Sequence, residues 1–131
     1  MTGNWTKLLE SPEIPSILDF ESLSYSLDGT LLVTLLDGKL CVQVKFSDIL
    51  AHFLTDERNR LRTWTQAGSL LPSPLLKSDD SHLKRYFLEE SEGIYDERFA
   101  KSIIHYMIST PEEVIDVLST VEPLVQVTTI D

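Results

Sequence analysis

Three histidines, a single cysteine and several paired carboxylates are the residues that could do chemistry in this chain. Nucleophilic catalysis needs a Ser or Cys held by a base, usually His, with a third group to orient the base. His52, His82 and His105 lie in no G-x-S-x-G or Cys-His local motif. His105 stands between apolar residues in Ile103-Ile104-His105-Tyr106-Met107-Ile108. It has two readings: a strand histidine hydrogen-bonded within the sheet, with Asp116 as partner, or a binding-site or catalytic base. No nucleophile or metal-ligand partner is evident by spacing, which favours the first. Cys41 falls mid-strand on the face opposite Leu40 and Val42 and reads as a partly buried structural thiol.

Metal and cofactor chemistry find no motif. A lone Cys and three scattered His do not make up a zinc site of the usual kind. There is no D-x-[DN]-x-[DN]-G calcium loop, no P-loop and no G-x-G-x-x-G. The expectation is no metal and no cofactor. Asp79-Asp80, Glu89-Glu90, Asp96-Glu97 and Glu112-Glu113 are adjacent acids, whereas glycosidase-like chemistry needs two carboxylates facing one cleft. Adjacent acids on a surface helix face water, so the chain is not expected to be an enzyme.

The most suggestive segment runs from 82 to 97. Tyr86, Glu89, Glu90, Glu92, Tyr95, Asp96 and Glu97 interleave aromatic and acidic side chains, with His82 and Arg85 beside them. Protein-binding surfaces use that combination, aromatic anchors inside an electrostatic rim. The alternative is an ordinary amphipathic helix with Tyr86 and Phe87 in the core.

Charge bears on the choice of partner. The formal net charge is −10. Residues 1–78 carry 9 acids and 7 bases, whereas residues 79–131 carry 12 acids and 4 bases. A field of this sign speeds encounter with a basic partner. It argues against nucleic acid, whose phosphates need clustered Lys and Arg. The one basic cluster, Arg58, Arg60 and Arg62, directly follows Asp56 and Glu57 and reads as a self-compensating solvated face.

Length sets the frame for these residues. A chain of 131 residues suits a single domain over 1–131, with an apolar fraction of 42% typical of a folded core. One cysteine allows no internal disulfide, no signal peptide is visible, and no apolar run reaches the roughly 20 residues that span a bilayer. The expected location is the cytoplasm, with no membrane association.

The elements that must position these side chains read as α+β. Residues 1–16, with Pro12 and Pro15, form an irregular lead-in with a short helical turn around Leu8. Asp28-Gly29 and Asp37-Gly38 separate three short apolar runs, which predicts a three-stranded antiparallel meander over 20–46. Residues 47–62 fit either a helix capped by Ser47 or a fourth strand. Residues 65–78, with Gly68, Pro72 and Pro74, read as a loop. Ser78-Asp79-Asp80-Ser81 opens a helix that runs to about Ser91 and stops at Gly93. A strand over 103–108 follows. Thr110-Pro111-Glu112-Glu113 then opens a second helix carrying Val114, Ile115, Val117 and Leu118. A last strand holds Val125 and Val127. The expected architecture is an antiparallel β-meander sheet packed with two short helices, closed by a C-terminal strand-helix-strand unit.

Three blocks of this chain carry a resemblance. They are Phe46 to Glu57 with Arg58 to Leu61 after it, Ser81 to Tyr95, and His105 to Ser119 followed by Glu122-Pro123. Together they resemble a group of small bacterial proteins similar to the immunity proteins of polymorphic toxin systems. The resemblance spans about residues 20–127 and carries no catalytic residues. It implies a small α+β sheet fold, favours a strand at 47–57, and implies a role in neutralising a cognate toxin by tight binding. A toxin that cuts nucleic acid has a basic cleft, which an acidic inhibitor can occupy by charge mimicry. On that reading Glu89, Glu90, Glu92, Asp96 and Glu97 form the rim, with Tyr86 or Tyr95 as anchor. The competing expectations are a small enzyme or ligand-binding domain using a pocket near His105, and a structural adaptor subunit.

Overall fold

The computed structural model describes residues 5–8, 14–60 and 73–130. Within them lie nine strands and two α-helices: β1 (Trp5–Lys7), β2 (Asp19–Tyr25), β3 (Leu31–Leu36), β4 (Leu40–Phe46), β5 (Ile49–Asp56), β6 (Leu75–Ser78), α1 (His82–Glu90), α2 (Glu97–Ser102), β7 (Ile104–Ser109), β8 (Glu113–Ser119) and β9 (Leu124–Thr129). They form a five-stranded sheet in the order β1-β6-β7-β8-β5 and a four-stranded sheet in the order β2-β3-β4-β9, with every neighbouring pair antiparallel. The α+β class holds.

The meander forms because its turns are chemically specified. Gly29 takes φ +86, open to glycine and strained for other residues. The Asp28 carboxylate accepts the Thr30 amide at 3.1 Å. At the second turn the Asp37 carboxylate accepts the amides of Lys39 (2.8 Å) and Leu40 (2.6 Å). Those two backbone hydrogen bonds hold the Asp37 carboxyl below the usual carboxylate range. After β4, Ser47 and Asp48 carry the chain into the other sheet, with Asp48 at φ 51, and β5 pairs with β8 instead of continuing the meander. Residues 49–56 are therefore strand.

The main core lies between the two sheets. The alternation in β3 buries Leu31, Val33 and Leu35, and β4 adds Val42, Val44 and Phe46. Leu75, Tyr106, Ile108, Ile115 and Val117 meet them from the five-stranded sheet. Phe46 and Tyr106 pack ring to ring at 5.6 Å. On the far face of that sheet, Leu76, Met107 and Val114 form a smaller cluster, with Trp5 packed against it. Covered on both faces, β7 and β8 are the most buried strands.

Three sequence expectations need correction. The second helix is not at 110–118: residues 113–119 are strand β8, so the C-terminal unit is strand-strand-strand. Thr110-Pro111-Glu112-Glu113 closes a hairpin. The Thr110 amide donates to the Glu113 carbonyl at 2.9 Å, and the Thr110 hydroxyl accepts the Glu113 amide at 2.9 Å. Acids after a proline thus served a turn, and a short apolar run buried on both sides carries no period to separate strand from helix. The second helix is instead α2, six residues long, whose cap Asp96 accepts the Phe99 amide at 2.8 Å. In the predicted 65–78 loop, 75–78 is strand β6, and in the predicted irregular lead-in, 5–7 is strand β1, paired with β6. The remainder of those two segments, apart from 8, 14–16 and 73–74, lies outside the described residues.

Candidate functional site

The polar residues of the far face of the five-stranded sheet converge on His105. The β7 register sets His105 opposite Ser78 of β6 and Leu118 of β8, on the face away from the main core. Asp116, one register step along β8, shares that face, opposite Met107 on one side and Phe53 of β5 on the other. Ser81, N-cap of α1, reaches the same point from above the sheet.

A continuous chain of hydrogen bonds results. His105 Nε2 lies 2.6 Å from Asp116 Oδ1, and His105 Nδ1 lies 2.7 Å from Ser81 Oγ. Arg60 clasps the same carboxylate with both terminal nitrogens, at 2.5 and 3.2 Å, and Nη1 also donates to the Thr55 hydroxyl at 3.1 Å. Ser81 Oγ accepts the Lys84 amide at 3.0 Å. Ser81, His105 and Asp116 are each 2% exposed. Burial alone would raise the Asp116 carboxyl; the hydrogen bonds from His105 and Arg60, with the electrostatic attraction of both groups, outweigh it and hold the carboxyl below the usual carboxylate range.

The tautomer follows from the partners. A carboxylate only accepts, so Nε2 carries a proton and donates it to Asp116. In the neutral ring Nδ1 then accepts the Ser81 hydroxyl proton, while Ser81 Oγ accepts from Lys84. In this state both His105 nitrogens, the Ser81 hydroxyl and both Asp116 oxygens have partners. Nearby, the Lys84 ammonium donates to the Asp79 carbonyl at 2.9 Å and pins the β6–α1 connection; its own burial lowers its pKa.

Beside this chain runs an open trench of about 350 Å³. Trp5, Phe53, Leu83 and Tyr86 form its apolar walls, and His105 and Asp116 lie along its floor. Trp5 packs edge-on against the His105 ring at 4.8 Å, and its buried Nε1 has no hydrogen-bond partner among the described residues. In outline, a hydroxyl, an imidazole and a carboxylate in sequence beside a cavity is the arrangement that activates a serine for acyl transfer. The Ser81 oxygen, however, is buried and already holds the first turn of α1. Among the described residues no three His, Cys, Asp or Glu side chains converge to hold a metal ion.

The segment singled out from sequence is divided by the structure. Tyr86 is 57% exposed at the lip of the trench, and Glu89 and Glu90 are exposed one turn further along the same face of α1. Glu92 is exposed on the following loop at φ 47. Tyr95 is half-buried, stacked between Phe87 at 5.9 Å and Phe99 at 4.9 Å, and so holds α1 to α2. Asp96 caps α2, and Glu97 pairs with Lys101 at 3.3 Å. Ile94, 74% exposed among these acids, carried no sequence signal because a lone apolar residue in a loop has no period. Ser81 read only as a cap, and the part played by Arg60 and Trp5 was not legible. Arg58 pairs with Asp56 at 2.9 Å and Arg60 with Asp116, while Arg62 lies outside the described residues.

Among the described residues no helix is long and apolar enough to cross a membrane. Comparison with profiles of known protein families, with curated protein sequences and with solved structures returned no match.

Proposed function

We propose that this chain is an inhibitory binding protein, an immunity protein that neutralises a cognate toxin in the cytoplasm by covering a basic surface on it. One observation carries the reading: Tyr86 and Ile94 stand exposed among Glu89, Glu90 and Glu92 on α1 and the loop after it. Large apolar side chains left in solvent inside an acidic rim are the composition of an interface centre and its surround. An interface of ordinary size, about 800 Å² per partner, would take in this helix and the lip of the trench. Binding of this kind needs no cofactor. The test is co-expression with the product of the adjacent gene, followed by pull-down and growth rescue. A complex and rescued growth support the reading; neither appearing refutes it.

A second reading rests on the Ser81–His105–Asp116 geometry, which would support ester or amide hydrolysis with Ser81 as nucleophile and His105 as base. A fluorophosphonate probe separates the two. An adduct on Ser81, lost in Ser81→Ala, supports hydrolysis; an unlabelled folded protein removes that reading and leaves binding.

A further inference from the structure

Two sheets that are not closed into a barrel have four edges, and an uncovered edge templates pairing with another strand. Three of the four edges here are blunted. Strand β1 is three residues long and ends on Lys7. Strand β2 carries Asp19 and Glu21, with a register shift between Phe20 and Ser22. Strand β5 has a register shift between Ile49 and Ala51 and ends on Asp56. Strand β9 has none of these devices. It is six residues long, in unbroken register with β4, and no charge falls between 123 and 130. Its sequence, LVQVTT, is rich in the β-branched residues that favour extended chain.

The direction of its free main-chain groups can be derived. The Ile130 amide donates to the Lys39 carbonyl at 2.8 Å, in the same register that sets Thr129 opposite Leu40. In an antiparallel ladder hydrogen-bonded pairs alternate with non-bonded ones. Ile130, Thr128, Gln126 and Leu124 therefore turn their amides and carbonyls toward β4. Val125, Val127 and Thr129 turn theirs outward, along an edge with no partner strand among the described residues. Val125 and Val127 pack on the core yet stay only partly buried, as side chains with no strand beyond them do.

We infer that β9 pairs antiparallel with β9 of a second copy of this chain, about a two-fold axis at Val127. That register sets Val125 opposite Thr129 and Val127 opposite itself, so all three outward-facing residues of each strand meet their counterparts. About six main-chain hydrogen bonds join the copies, and the two four-stranded sheets become one continuous sheet. The side chains are self-complementary too. Leu124, 71% exposed, falls opposite Ile130, 43% exposed, and Gln126 falls opposite Thr128. Cross-strand pairs of this kind stabilise sheets. The nearest acids in sequence, Glu122 and Asp131, lie outside the span 123–130, so no carboxylate opposes another across the seam. The net charge of each copy opposes association at long range, so added salt tightens the dimer.

Sedimentation equilibrium on the full chain tests this. The expected mass is that of two chains in the micromolar range, with the dissociation constant falling as ionic strength rises. Thr129→Pro removes an outward amide and no bond to β4; Leu124→Lys places a charge on the seam at an exposed position. Each is expected to raise the dissociation constant at least about tenfold, the equivalent of 1.4 kcal/mol, with the far-ultraviolet circular dichroism unchanged. A wild-type monomer throughout the micromolar range overturns the inference and leaves the edge for an extended segment of another protein. A dimer that both variants leave intact also overturns it, since the contact is then elsewhere.

Discussion

Removing the Asp116 side chain should be among the most damaging single changes to this fold. The carboxylate accepts three hydrogen bonds, two from Arg60 and one from His105, and is 2% exposed. Asp116→Ala deletes the carboxylate that takes two hydrogen bonds from Arg60 and removes the acceptor of the His105 Nε2 proton. Breaking a buried ion pair from one side costs about 3–5 kcal/mol, because the remaining charge stays desolvated. For a domain of this length that is a fall in Tm on the order of 10–20 °C. Arg58→Ala is the control: its partner Asp56 is exposed, and such pairs contribute about 0–1 kcal/mol. Urea unfolding followed by circular dichroism measures both. The pH dependence gives a second readout. The folded pKa of Asp116 lies below its unfolded value of about 3.9, so its contribution is fully present above that value and is lost as pH falls through the folded pKa. Wild-type stability should therefore drop in the acid window below about pH 4, and this part of the drop should be missing in Asp116→Ala. An Asp116→Ala protein within 1 kcal/mol of wild type would refute the account of the buried chain.

Ser81→Ala removes the cap of α1 and the partner of His105 Nδ1, and should cost about 1–3 kcal/mol in the same denaturation assay, with Ser81→Thr recovering part of it. Gly29→Ala should cost about 1 kcal/mol through backbone strain alone, since φ is +86 and the nearest atom to an added Cβ is 3.8 Å away; a neutral result would mean the turn relaxes. If the proposed function holds, reversing Glu89, Glu90 and Glu92 to Lys should slow association with the partner toxin by about tenfold or more and flatten its salt dependence, read by stopped-flow or surface plasmon resonance. Unchanged rates would place the interface elsewhere.

What was legible from sequence follows from how local each signal is. Asp28-Gly29 and Asp37-Gly38 announce turns through residues that make those turns, so the meander could be read in full. The strand at 104–109 and the His105–Asp116 bond were legible because a histidine set among apolar neighbours must find a buried partner. Residues 113–119 were not. Val114-Ile115-Asp116-Val117-Leu118 is buried on both faces, so neither a period of two nor of 3.6 appears, and Pro111 with two acids imitates a helix start. Strand β6 was hidden for a related reason: four residues after two prolines carry no pattern, and the strand exists because β1 and β7 flank it. Of the proposed interface residues, the exposure of Tyr86 and the burial of Tyr95 could not be separated by spacing. The stack of Tyr95 on Phe87 and Phe99 depends on α2, which the sequence reading missed.

The buried polar chain and the exposed face of α1 belong to one device. A nine-residue helix is too short to be stable alone, so its orientation must come from what holds it. Ser81 ties its first turn to His105, His105 is held by Asp116, and Asp116 is held by Arg60, which follows the edge strand β5. At the other end Tyr95 stacks between Phe87 and Phe99. Both ties are specific in direction, whereas apolar packing alone would let the helix slide. Among the described residues, the side chains of Tyr86, Glu89 and Glu90 take no part in these ties, and they face solvent beside the trench. A buried ion pair adds little net stability, because desolvation offsets its attraction, but its hydrogen bonds form in only one geometry. Here it fixes the angle at which an acidic, tyrosine-bearing face is presented, and the proposed occlusion of a partner would depend on that angle.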